Sequence, residues 1–118
     1  MYKKTQKLDL NYGISLYVLK LQNGKYYVGI THDIDRRIRQ HENGETSSFV
    51  KENLPIKSVH KTLLKTTDRN RAFKLENYKT VELVLRYGIE NVCGGDITGD
   101  LPIRYRKFLS CFYGRMKL

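Results

Sequence analysis

Long apolar runs are missing from this chain. Nothing in it approaches the roughly 20 consecutive apolar residues needed to span a bilayer, and the start Met1-Tyr2-Lys3-Lys4 leads into no signal-like apolar stretch. A soluble, unexported protein with no membrane partner is therefore expected, cytoplasmic, or nuclear in a eukaryotic or viral setting. Cysteine is scarce too. Cys93 and Cys111 have no metal-ligand spacing with a histidine pair and are too few for a secreted disulfide framework, so both read as reduced thiols. Acid is short: 12 Asp and Glu stand against 22 Lys and Arg, a formal charge of +10 on 118 residues. Such an excess draws polyanions, nucleic acid before membrane. The length and 40% hydrophobic content fit one domain over residues 1–118.

What the chain does carry begins with a hairpin. Ser15 to Leu21 and Tyr26 to Thr31 are rich in β-branched, aromatic and aliphatic residues around Gln22-Asn23-Gly24-Lys25. Loop length decides which side chains share a face. A two-residue Asn-Gly loop would pair Lys20 with Tyr27 and put Tyr17 and Tyr27 on opposite faces. A three-residue Gln22-Asn23-Gly24 loop, a type I turn with Gly24 left-handed in a bulge, pairs Tyr17 with Gly29 and Leu19 with Tyr27. The phenols then become diagonal neighbours on one face, with room left at Gly29. The bulged register is the expectation, and the backbone at Gly24 checks it.

A helix follows from about His32-Asp33 to Asn43-Gly44, with Asp33 or Thr31 as N-cap and Gly44 as terminator. Arg37 and His41, four apart, are neighbours on one face beside the stripe of Ile34 and Ile38; Arg36, Arg37 and Arg39 read equally as a solvated basic face. Residues 45–54 are polar and expected to be loop, with Ser48 and Lys51 as substrate contacts if the loop borders the site. Residues 56–65 suggest a third strand. A long helix is expected from near Thr67-Asp68 to about Arg86, and on it Glu76 falls inside the apolar arc, between Leu83 and Phe73, where a carboxylate wants a partner. Glu82 aligns with nothing else. From Leu101 the chain has five Arg or Lys, Lys117 the last, no acid, and interleaved aromatics; this short C-terminal helix either tracks a phosphate backbone or packs its aromatics on the core. The architecture is α+β, a small three-stranded antiparallel sheet flanked by helices.

Leu16-Tyr17-Val18 followed by Tyr26-Tyr27-Val28-Gly29 resembles the paired tripeptides of the GIY-YIG nucleases, and the resemblance runs through residues 15–95, with 96–118 a basic extension. Tyr17 and Tyr27 stand at the tyrosines of the two tripeptides, Arg37 at the catalytic arginine, His41 at the His or Tyr one turn later, Glu76 at the lone metal-binding glutamate. Asn91 resembles the asparagine of a further motif, a substrate-binding position. Ser15 and Leu16 replace the first Gly and Ile, and Cys93 stands where many relatives carry Arg, departures that bear on subfamily rather than on catalytic groups.

The resemblance implies a DNA endonuclease hydrolysing phosphodiester bonds with one Mg²⁺ (or Mn²⁺) on Glu76. Hydrolysis needs an activated water, charge stabilisation and help for the departing 3′ oxygen. Arg37 would neutralise the non-bridging oxygens with its planar fork; Tyr17 would serve as base, with Tyr27 and His41 orienting water and phosphate. The other reading is a degenerate module that binds nucleic acid without cutting it. No appended helix-turn-helix, zinc finger or linker pattern is visible, so long-site recognition by a second domain is not expected: a lone domain would dimerise to cut both strands, nick with low specificity, or borrow a targeting partner, and the compact format suits a mobile-element or phage-type nuclease.

Overall fold

β1 (Ser15–Leu21) and β2 (Tyr26–Thr31) form the hairpin, antiparallel, with Tyr17 opposite Gly29 and Leu19 opposite Tyr27. The computed structural model describes residues 13–116; Met1 to Lys4 at the start and Lys117 at the end lie outside the described residues. Gly24 is left-handed at φ 70°, as the three-residue loop requires. Asn23 is left-handed as well, at φ 63°. That excludes the expected type I turn, whose second central residue stays near −90°; asparagine is the residue that tolerates this best after glycine.

α1 (Ile34–Glu42) starts where Asp33 accepts a bond from the Arg36 N–H at 3.1 Å, and Thr31 Oγ1 in turn accepts from the Asp33 N–H. Gly44, at φ 70°, closes it. The stretch expected as loop contains a short helix, α2 (Ser48–Lys51), because Ser47 caps it at the Val50 N–H and Val50 anchors it in the core. β3 (Ile56–Leu63) pairs antiparallel with β1. α3 (Arg69–Tyr87) begins at Asp68, whose carboxylate accepts from the Asn70 and Arg71 N–H groups.

The sheet has four strands, not three. Residues 92–94 form β4 (Val92–Gly94), parallel to β2, giving the order β3-β1-β2-β4. Three residues show no alternation to read. Gly94 is what admits the pairing, since a β carbon there would lie 2.5 Å from the Val28 carbonyl oxygen.

Because side chains alternate along a strand, each sheet face has its own core. Tyr17, Leu19 and Leu21 pack with Val50, Ile34 and Ile38 on one face. Val28 packs with Leu83, Val84, Val92 and Phe108 on the other. Phe108 belongs to α4 (Leu101–Met116), so the C-terminal helix does pack aromatic side chains on the core. Its Arg104 is buried and donates to the carbonyls of Gly99, Ile89 and Glu90; Arg106 and Lys107 remain exposed. Phe73 and Leu85, read as part of the α3 apolar arc, are 45% and 60% exposed. Among the described residues no helix is long and apolar enough to cross a membrane.

Candidate functional site

The hairpin register and the α1 stripe bring three rings together. Tyr17 and Tyr27 have centroids 6.5 Å apart, and His41 stands 5.7 Å from the first and 5.2 Å from the second. The Tyr17 hydroxyl is 2.8 Å from His41 Nε2, and the other ring nitrogen, Nδ1, is 2.6 Å from Thr46 Oγ1. Both nitrogens of a buried imidazole are thus engaged, which fixes its orientation.

Glycine at position 29 makes the packing possible. A β carbon there would sit 2.5 Å from Tyr17 Cζ. Gly29→Ala must displace the Tyr17 ring, and overpacking of this kind costs about 1–3 kcal/mol. The expected outcome is a clear fall in melting temperature with loss of whatever activity the Tyr17 hydroxyl serves; an unchanged melting curve would show that the ring has free space.

Electrostatics across the cluster follow from burial. Desolvation raises Tyr17 well above its ordinary value of 10, the neighbouring Tyr27 adds to it, and Arg37 pulls the other way. Tyr27 is pushed up to about 12, chiefly by desolvation and then by Cys93. His41 is brought down to about 4 by burial and by the Arg37 guanidinium, so it is neutral at neutral pH. Arg37 therefore acts on all three rings through its charge.

Glu76 comes from α3 and is 7% exposed. Burial and the adjacent Asp96 raise its carboxyl to about 7, while the Gly95 N–H and Arg69 oppose the rise. Gly95, left-handed at φ 54°, lets its backbone approach Asn77, whose Oδ1 a β carbon there would strike. Asn77 holds Asp96 in place, donating to its carboxylate at 3.0 Å and accepting from its N–H at 2.8 Å. Glu76 also acts electrostatically on both phenols. Glu82, by contrast, is on the surface beside Lys79 at 3.5 Å.

Among the described residues no group of three or more His, Cys, Asp or Glu is placed to hold a metal. A single desolvated carboxyl suits a hard divalent cation that keeps most of its waters. The donor chemistry at Glu76 fits Mg²⁺ or Mn²⁺ in that sense.

A cleft of about 250 Å³ is lined by Arg37 together with Arg36, Arg69, His32, Thr31 and Gln40; Arg37 is what it shares with the cluster, since Tyr17, Tyr27, His41 and Glu76 do not line it. Arg69 was not singled out by the sequence reading, and Arg36 only as part of a surface face. The one available signal for Arg69 is its spacing, seven residues before Glu76 and hence on the same side of α3. Ser48 and Lys51 lie on α2, both exposed. The Asn91 side chain accepts from Lys25 Nζ at 3.0 Å and donates to the Tyr87 carbonyl at 2.8 Å, so it ties the hairpin end to the C-terminus of α3.

The family model for the GIY-YIG catalytic domain matches residues 13–83. A UPF0213 protein of Photorhabdus laumondii is 39% identical over 61 residues, 52% of this chain and 57% of the relative. One from Staphylococcus saprophyticus is 31% identical over 61 residues, 52% of this chain and 72% of the relative. One from Streptococcus pneumoniae is 36% identical over 45 residues, 38% and 46% of the two chains. The chain spans about half the length of several of these curated relatives. No solved structure matches it significantly.

Proposed function

The chain belongs to the GIY-YIG nuclease family, and from that membership we propose that it is a divalent-metal-dependent DNA endonuclease. The observation that carries the reading is the convergence of Tyr17, Tyr27 and His41 on one sheet face, under the charge of Arg37 and Glu76 and beside an arginine-lined cleft. That set supplies a proton acceptor, a fixed cation and an anionic metal ligand, the groups phosphodiester hydrolysis asks for.

In this reading the DNA backbone enters the cleft and Arg37 neutralises the non-bridging oxygens of the scissile phosphate with its planar fork. Water adds its oxygen to phosphorus, the bond to the 3′ oxygen breaks, and one water proton ends on that oxygen. Tyr17, as the phenolate, takes the other, its oxygen held 2.8 Å from Nε2 of a neutral His41 whose Nδ1 is anchored at Thr46. Tyr27 orients the water. Glu76 would hold Mg²⁺ or Mn²⁺, which supplies Lewis-acid stabilisation of the phosphate charge and of the departing oxygen. Arg37 and such a cation both favour the anionic form of the phenol that burial disfavours.

The test is nicking of supercoiled plasmid with and without Mg²⁺, for the wild type and Glu76→Ala. Metal-dependent nicking that Glu76→Ala loses by about 10²-fold or more is expected. DNA binding with no cleavage by the wild type at any metal concentration would favour the binding-only module instead.

A further inference from the structure

Three guanidiniums line the cleft, more than a single scissile phosphate requires. Arg37 is accounted for above. Arg69 and Arg36 are not, and neither is placed for stability. Arg69 is the first residue of α3 and Arg36 the third of α1. Both lie at the positive end of a helix dipole, where a cation is unfavourable; the acid at the start of α3 is Asp68, whose carboxylate is taken up by the Asn70 and Arg71 N–H groups, and α1 carries Asp35 in its first turn. The cleft's one carboxylate, Asp33, is engaged in capping α1. Among the described residues the only ion pair is Lys79 with Glu82, far along α3, so neither arginine touches a carboxylate directly, although the Arg69 charge reaches Glu76.

Arg69 is nonetheless held. Its Nη1 donates to His32 Nε2 at 3.1 Å, a bond joining the start of α3 to the β2–α1 turn, and its guanidinium carbon lies 5.7 Å from the centroid of the Phe73 ring. The guanidinium can only donate, so the His32 nitrogen accepts. Exposed Phe73 thereby gains a use: it supports the arginine from one side while His32 holds it from another. An exposed cation fixed by two neighbours, aimed into a cavity, with most of its five N–H donors uncommitted, is arranged for an anion that comes from outside.

Resting on the nuclease reading, we propose that Arg69 and Arg36 form a second phosphate subsite, which grips the backbone phosphate adjoining the scissile one. Two consecutive phosphates of one strand are then seated together, Arg37 on the reacting one and the Arg69–His32 pair on its neighbour. The scissile bond takes its register in the site from the neighbour.

A single neutral methylphosphonate linkage placed in a radiolabelled DNA strand tests this, with cleavage mapped bond by bond. For the wild type, cutting at the bond on one side of the neutral linkage should fall about tenfold relative to remote bonds in the same strand, as expected for loss of one charge-assisted contact. For Arg69→Ala the bond beside the neutral linkage and the remote bonds should be cut alike. Arg71→Ala, which removes the same charge from the same helical turn, should keep the wild-type pattern. The proposal is overturned if the wild type cuts beside the neutral linkage as readily as elsewhere, or if Arg69→Ala and the wild type show the same suppression. A wild type that cuts no DNA at all removes the nuclease reading itself, and this subsite with it.

Discussion

Tyr17→Phe is expected to slow phosphodiester cleavage by about 10²–10⁴-fold, the range for loss of a positioned acid or base, while DNA affinity stays as it was. The ring is 2% exposed and forms part of the core with Leu19, Leu21 and Val50, so phenylalanine keeps the packing. Only the oxygen is lost, and its described partner is His41 Nε2. That nitrogen is then left without its partner in a buried setting, at a cost of about 1–3 kcal/mol. Melting temperature must therefore be measured beside rate, and the rates compared where both proteins are fully folded. A folded Tyr17→Phe that cuts at the wild-type rate would remove Tyr17 from the chemistry. Tyr27→Phe in the same assay then ranks the two phenols: a larger loss there would move the proton-accepting role across the hairpin.

The prediction can be this specific because the hairpin was legible in the sequence. Period-two alternation ties the face of Tyr17 to the face of Tyr27, and one extra loop residue flips one relative to the other, so the loop length settled what shared a surface. The α1 stripe was legible for a similar reason: Ile34, Ile38 and His41 fall on one side of a helix, and the imidazole duly lies at 0% exposure. Caps at Asp33 and Asp68 could be read because a carboxylate beside free backbone N–H groups is a local interaction.

Features that depended on distant chain were not legible. β4 is three residues long and exists because β2 offers it an edge and Gly94 lets the backbones meet. The short helix at Ser48 is held by burial of Val50 under the sheet, and polar composition hid it. Glu76 could be placed on the buried side of α3, but its neighbours Asp96 and Gly95 arrive from the segment after β4. The tie between Arg69 and His32 spans 37 residues and leaves no periodic trace. Asn91 shows the converse: it stood out by motif, and the contacts it makes are with Lys25 and the end of α3.

Burial has shifted two groups in the site in opposite senses, and the pH dependence of stability should reveal it in metal-free buffer. His41 drops from 6.5 to about 4. The unfolded chain binds a proton at this residue more readily than the folded one, so its contribution is complete above pH 6.5 and is lost as pH falls toward 4. Glu76 rises from 4.5 to about 7. Here the folded chain binds the proton more readily, so the contribution is complete below 4.5 and is lost as pH climbs toward 7. At about 1.4 kcal/mol per pH unit, and with a discount for screening at a shallow site, each effect is on the order of 2 kcal/mol. They run through nearly the same window with opposite sign, so in the wild type they largely offset. Glu76→Gln removes one of them. Relative to the wild type, this variant should gain on the order of 2 kcal/mol between pH 4.5 and 7.5, read from urea midpoints at the two pH values. The difference between the two proteins cancels titrating groups that Glu76 does not touch, His41 among them. If it does not change with pH, the Glu76 carboxyl is not desolvated in solution, and the buried acid facing Tyr17 and Tyr27 that anchors the metal-binding reading is absent.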